Sequence, residues 1–333
     1  MLDLTLMITV TIVILALIFD FINGFHDTAN SIATSVSTRV LSPNAAVTMA
    51  AVLNFLGAFI SVKVAKTVGA DIVHPDSIPQ TVIIATLLGA IIWNLITWYF
   101  GLPSSSSHAL IGGLLGAAIA FSGSISIVNW INFFDKILLW LFLSPCIGFL
   151  AGFLLMNLLN ILLKSWRPAT VTKVFSKAQI VSAALMALNH GGNDAQKSMG
   201  IITMALLSGG LISEFTVPLW VKVTCALAMA AGTSMGGWKI IKTMGVNMAR
   251  LAPVNGFAAE TGAAAVIFTA TMLHSPVSTT HIISTSIMGV GAAKRLSSVR
   301  WTVAKDIVWA WILTIPITAL LSGLIFTLIN MIF

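Results

Sequence analysis

Apolar stretches separated by short polar clusters run from one end of the sequence to the other. They lie at 3–22, 43–62, 80–101, 103–121, 136–163, 178–188, 198–212, 216–235, 255–273, 277–293 and 306–333. Several reach the roughly 20 residues that a helix needs to cross a hydrocarbon layer about 30 Å thick. Backbone polar groups in lipid must be satisfied within the segment, so helices are the elements predicted. No basic residue precedes the first stretch and no small-residue cleavage site follows it, so it is expected to be retained rather than removed as a leader.

The polar clusters repeat. Asn23-Gly24-Phe25-His26-Asp27-Thr28-Ala29-Asn30-Ser31 lies over His190-Gly191-Gly192-Asn193-Asp194-Ala195-Gln196-Lys197-Ser198, matching Gly, Asp and Ser. Pro103-Ser104-Ser105-Ser106-Ser107-His108 lies over Pro276-Val277-Ser278-Thr279-Thr280-His281, with Gly116 over Gly289 further along. Two different motifs in the same order imply two copies of one unit, a common plan in membrane carriers. The copies are expected at 1–163 and 178–333, joined by a linker at 164–177. In the first, we expect a helix over 3–38 broken near Asn23-Gly24, a helix over 43–62, a helical hairpin over 80–121 and a helix over 136–163. The second repeats this as a broken helix over 178–212, a helix over 216–235, a hairpin over 255–293 and a helix over 306–333. The fold class is therefore all-α and polytopic.

Composition agrees: of 333 residues, 58% are hydrophobic and only 8% charged, against about a quarter charged in soluble domains. The net charge of +7 is spread over the loops, which argues for an orientation signal and against nucleic-acid binding. Lys164, Arg167, Lys173 and Lys177 mark 164–177 as cytoplasmic. Lys239, Lys242 and Arg250, and then Lys294, Arg295, Arg300 and Lys305, mark two second-copy loops likewise. The corresponding first-copy loops lack such an excess, since Lys63 and Lys66 are offset by Asp71 and Asp76 and 122–135 has no basic residue. Equivalent loops then face opposite sides, so the copies are inverted and both termini external. Cys146 and Cys225 sit inside apolar stretches and read as small buried hydrophobes.

An ionised carboxylate at the centre of a membrane helix costs about 3 kcal/mol, so Asp27 and Asp194 are expected to face a cavity or bind a cation. With Asn23, Asn30, Asn189 and Asn193 nearby, they offer the hard oxygen ligands of a sodium site. Ser105, Ser106 and Ser107, and Ser278, Thr279 and Thr280, each follow a proline and precede an apolar helix, the pattern of a helix N-terminus with proline early in its first turn. Free amides and the positive end of the dipole suit an anion there. Such runs in both copies place the two helix ends toward one point. Lys197, with Gln196 beside it, either supplies charge to an oxyanion or neutralises Asp194. His108 and His281 read as packing residues, whereas His26 and His190 sit at the expected breaks. A proton instead of sodium, sulfate or another tetrahedral oxyanion as the anion, or an uncoupled channel would also suit such a cavity. An intramembrane aspartyl protease would leave the hydroxyl runs without a role.

At Gly24-Phe25-His26-Asp27-Thr28-Ala29-Asn30 and Gly191-Gly192-Asn193-Asp194-Ala195-Gln196-Lys197 the sequence resembles the two signature segments of the inorganic phosphate transporter (PiT) family. Its serine and threonine runs are similar to that family's hairpin tips, and the likeness covers essentially the whole chain. The resemblance implies a non-enzymatic phosphate carrier of the plasma membrane, driven by sodium or protons, with inverted repeats, re-entrant hairpins, surrounding lipid and a homodimeric assembly. It implies no cofactor beyond the co-transported ion. Carried over residue by residue, it puts cations at Asp27 and Asp194 with Asn23, Thr28, Asn30, Asn189 and Asn193, and phosphate at the two hydroxyl runs with Gln196 and Lys197. The long hydrophilic insert of the human branch is reduced here to about 164–177.

Overall fold

The computed structural model describes residues 2–332. A long helix α1 (Leu2–Ser37) leads to α2 (Pro43–Gly57) and a short α3 (Lys63–Lys66) that continues as a π-helical turn to Asp71. The hairpin of α4 (Gln80–Phe100) and α5 (Ser106–Ser122) follows, then α6 (Trp130–Phe133), a second π-helical turn and α7 (Leu139–Leu162). The series then recurs: α8 (Pro168–Ser208), α9 (Leu219–Met235), α10 (Trp238–Lys242) with its π-helical turn to Asn247, the hairpin of α11 (Pro253–Met272) and α12 (Thr279–Lys294), and α13 (Trp301–Ile332). Isolated antiparallel bridges, Val73 with Val128 and Ala249 with Val299, occupy matching places in the two series.

The copies are interlocked. In each, the inner hairpin arm packs on the last helix of the other copy, α5 on α13 and α12 on α7. The first helix of each packs on the second helix of the other, α1 on α9 and α8 on α2. Each of the two buried apolar clusters therefore mixes residues of both copies: Ile12 and Phe19 with Met199 and Ile202 in one, Ile32 and Ala50 with Met244 and Ile287 in the other. Neither copy has a core of its own. Outward-facing leucine, isoleucine and phenylalanine, such as Phe142, Leu150 and Leu154 on α7 and Leu320, Leu324 and Leu328 on α13, stay exposed. Among the described residues, five helices are long and apolar enough to cross a membrane, or six if the bent pair α9 and α10 counts as one. This is a multi-pass membrane protein whose apolar exterior belongs in hydrocarbon.

Several expectations change. The helix is not broken at Asn23-Gly24, nor at His190-Gly191; α1 and α8 run through both. The glycines serve close helix contact instead. A Cβ on Gly24 would collide with the Met229 carbonyl, and one on Gly191 with the Asn54 carbonyl. The interruption lies at Gly236-Gly237, where α9 and α10 meet at 62° and Gly236 takes a left-handed φ of 71°. The stretch 43–62 does not form one helix, since α2 ends at Gly57. Most of 164–177 is not a loop but the opening turns of α8. Cys225 is buried, yet Cys146 is exposed.

Both hairpin tips are buried from Pro103 to His108 and from Pro276 to His281. They turn back inside the protein and not at its surface, as expected for re-entrant hairpins whose hydroxyls would otherwise meet lipid.

Candidate functional site

Two helix N-termini define the site. Ser105 Oγ accepts from the His108 amide at 3.2 Å, and Ser278 Oγ accepts from the His281 amide at 3.2 Å, so each is the N-cap of its helix. Pro103 and Pro276 stand two residues ahead of these caps and not in the first turn, which corrects the expected register. The amides of Ser106, Ser107, Thr279 and Thr280 have no acceptor within their own helices. Ser107 Oγ donates to the Val277 carbonyl at 3.3 Å, so the two tips touch each other.

The carboxylates come to the same place. Asp27 accepts from Ser106 Oγ at 3.3 Å and from Thr280 Oγ1 at 3.4 Å, one hydroxyl from each hairpin. Asp194 accepts from Thr279 Oγ1 at 3.1 Å and from the Lys197 ammonium one turn later. Asn30 Nδ2 donates to Thr279 and Thr280 at 3.1 and 2.9 Å, while its Oδ1 has no partner. Every one of these residues is at most 3% exposed. Ligand atoms of Asp27, His190 and Asp194 all fall within 4.8 Å of one another.

Each carboxylate carries its own backing. His26 Nδ1 is 2.6 Å from Asp27 Oδ1, and its Nε2 is 2.9 Å from Thr97 Oγ1, which in turn accepts from Ser104. His190 Nε2 is 3.1 Å from Asp194 Oδ2, and its Nδ1 is 3.2 Å from Asn54 Oδ1, whose amide donates to Thr233. His108 and His281 pack ring to ring with centroids 4.9 Å apart, and His281 stacks on Trp311.

Four of the expected ligands point elsewhere. Gln196 Oε1 accepts from the Val64 amide at 2.8 Å and the Ala65 amide at 3.3 Å, capping α3. Two positions beyond Asp194 is the opposite side of a helix, so Gln196 cannot share the Asp194 face. Asn189 is not buried and donates to its own helix at the Leu185 carbonyl. Thr28 bonds the Gly24 and Thr233 carbonyls in the contact between α1 and α9. Asn193 donates to Thr271 on α11 at 2.8 Å, although its Oδ1 has no partner. Asn23 is buried, with neither end of its amide bonded.

Sequence reasoning passed over two acids. Asp20 is fully buried without a hydrogen bond. Glu260 is fully buried and accepts from Thr34, Ser182 and Gln179. The signal was available, since an ionisable residue inside an apolar span is a functional candidate by default.

Chemically, the arrangement gathers opposite demands at one point. Hydroxyls and helix-end amides suit an anion, but two carboxylates stand at the same centre, and the lysine paired with them among the described residues is Lys197, on Asp194. An oxyanion can reside here only with further positive charge beside it. The orphan Asn30 oxygen and the carboxylates are suitable ligands for such a cation.

The whole of this architecture has relatives. The model of the Phosphate transporter family matches residues 23–322. The chain is 52% identical over 99% of its length to a Bacillus subtilis protein named "Probable low-affinity inorganic phosphate transporter", covering 100% of it. A Rhizobium meliloti protein of the same name is 52% identical, with 95% of this chain and 94% of that one covered. Among solved structures, "The sodium-dependent phosphate transporter" superposes with a TM-score of 0.87 at 25% identity, covering 98% of this chain and 100% of that one. With one family model reaching from the first polar cluster of α1 into α13 and across both hairpin tips, the chain belongs to the phosphate transporter family.

Proposed function

We propose that the chain carries inorganic phosphate across the plasma membrane in symport with sodium ions, by alternating access of one central site. The observation that carries this reading is the contact of Asp27 with Ser106 of one hairpin and Thr280 of the other. It puts both anion-suited helix ends against a carboxylate, so the anion and a compensating cation must share the cavity. In this reading phosphate takes its hydrogen bonds from Ser106, Ser107, Thr279, Thr280 and the first-turn amides of α5 and α12. Ser105 and Ser278 hold those turns in shape. Sodium is held by Asp27 and Asp194 with the free Asn30 oxygen. Lys197 neutralises Asp194 and ties it to the hairpin through the Val277 carbonyl at 3.3 Å.

Sodium is favoured over a proton because the unpartnered amide oxygens beside the carboxylates suit the coordination shell of a metal ion and would be superfluous for binding a proton alone. The name of the superposed structure supports the same choice. The homodimer implied by the family resemblance belongs to the same proposal, as does the sidedness drawn from loop charge. Single cysteines at the exposed positions Lys173 and Asn129 are expected to react with an impermeant thiol reagent from opposite faces.

Purified protein in liposomes tests the coupling. Phosphate uptake is expected to follow an imposed sodium gradient and to stay low in choline at the same pH. Uptake that ignores sodium and follows a pH gradient would reject the sodium assignment while leaving phosphate in place.

A further inference from the structure

Asp20 takes no part in the centre just described. It lies on α1 three residues before Asn23 and seven before Asp27, so these three side chains line one stripe of the helix. The rise from Asp27 to Asp20 is about 10 Å. Both Asp20 oxygens, both ends of the Asn23 amide and the Ser198 hydroxyl lack hydrogen-bond partners, and all three residues are fully buried. Ser198 stands one turn beyond Asp194 on α8 and lies beside the Asp20 carboxyl. The first half of α1 packs on the last part of α8, which brings one turn of each helix to the same flank of the centre.

We propose that Asp20, Asn23 and Ser198 form a separate cation-binding position, taking a sodium ion, on the flank of the central cavity toward the N-terminal half of α1. This rests on the sodium-symport reading for the identity of the ion. An unpaired carboxylate inside a membrane protein needs a compensating charge. Lys197 is already committed to Asp194 and the Val277 carbonyl. Cys225, the neighbouring thiol on α9, is uncharged as a thiol and supplies none. A proton would neutralise Asp20, but its single O–H serves only one of the Asn23 and Ser198 oxygens. A hard, oxygen-seeking cation satisfies all of them together. The position has no twin, because the residue of α8 matching Asp20 in the repeat is Ala187. Loading is therefore one-sided in a molecule that is otherwise built twice.

The test is equilibrium binding of radioactive sodium to the purified protein in phosphate-free choline buffer, comparing the parent with Asp20→Asn and Ser198→Ala. The parent is expected to bind one more sodium ion per chain than Asp20→Asn. Ser198→Ala is expected to keep the full number and to raise the half-saturation of one ion by about tenfold, the effect of one lost bond to a charged group. Asp27→Asn should spare the ion at Asp20. Equal sodium binding by the parent and Asp20→Asn would overturn the proposal, as would a change in proton uptake alone. If Asp20→Asn does not fold, unchanged sodium binding by Ser198→Ala overturns it. Should uptake prove indifferent to sodium while Asp20→Asn still loses a bound ion, the symport reading falls and this site stands.

Discussion

The two carboxylate centres occupy matching places in the repeat but are furnished differently. Where the first copy has Asn30, the second has Lys197, and where the first has Asn23, the second has His190. Asp194 thus has a full cationic partner within its own helix, whereas Asp27 is met by His26 and by hydroxyls from both hairpins. The backbone frame is duplicated, and the charge is not. In the proposed reading, Asp194 enters the sodium site already balanced by Lys197, and Asp27 is the carboxylate at which an arriving cation changes most.

The strongest way to break this comparison is to unbalance the second centre. Asp194→Asn leaves the Lys197 ammonium buried and unpaired, which should cost about 3–5 kcal/mol of stability. Asp194→Asn combined with Lys197→Met should recover much of it. Thermal unfolding in detergent reads both; equal unfolding temperatures for the parent and the single variant would place the balancing charge elsewhere. Asp27→Asn should behave in the opposite manner, folding close to the parent while losing sodium response. Its half-saturation for sodium in phosphate uptake should rise roughly tenfold or more, the size of one lost contact to a charged group. If Asp27→Asn and Asp194→Asn proved interchangeable, the asymmetry would be of no consequence.

Smaller effects sharpen the picture of the hairpins. Ser106→Ala and Thr279→Ala each remove one hydroxyl from the tips, at about 1.5–3 kcal/mol for a bond to a charged group. Phosphate binding should therefore weaken by roughly tenfold or more in each, and isothermal titration at fixed sodium measures it. The smallest change expected is at Gln196. Gln196→Ala frees the two α3 amides and should lower stability by about 1 kcal/mol, with phosphate affinity untouched. A large loss of phosphate affinity there would return Gln196 to the binding site.

Much of this arrangement was legible in the sequence because it rests on pairs. The duplicated Asp and the duplicated hydroxyl runs needed only an ordered repeat to be placed together, and Ser106, Thr279, Thr280, Asp27 and Asp194 do meet. What failed was reading local direction from neighbours in the chain. Gln196 and Asn189 flank Asp194 in sequence, but helical periodicity turns them to other faces. Glycine beside asparagine suggested a broken helix, yet glycine also permits two helices to approach until their backbones touch, as Gly24 and Gly232 do across α1 and α9. Only the partner helix tells these uses apart. Asp20 and Glu260 went unread because each stands once, without an echo in the other copy.

The central claim is that anion and cation share one cavity, and reciprocal binding tests it most directly. Phosphate affinity of the purified protein, measured with radioactive phosphate across a sodium titration balanced by choline, should rise with sodium by a factor within the usual span of about 5–150 for coupled sites. Sodium affinity should rise by the same factor when phosphate is saturating, and Asp27→Asn should flatten both responses. A phosphate affinity identical in sodium and in choline would contradict the account.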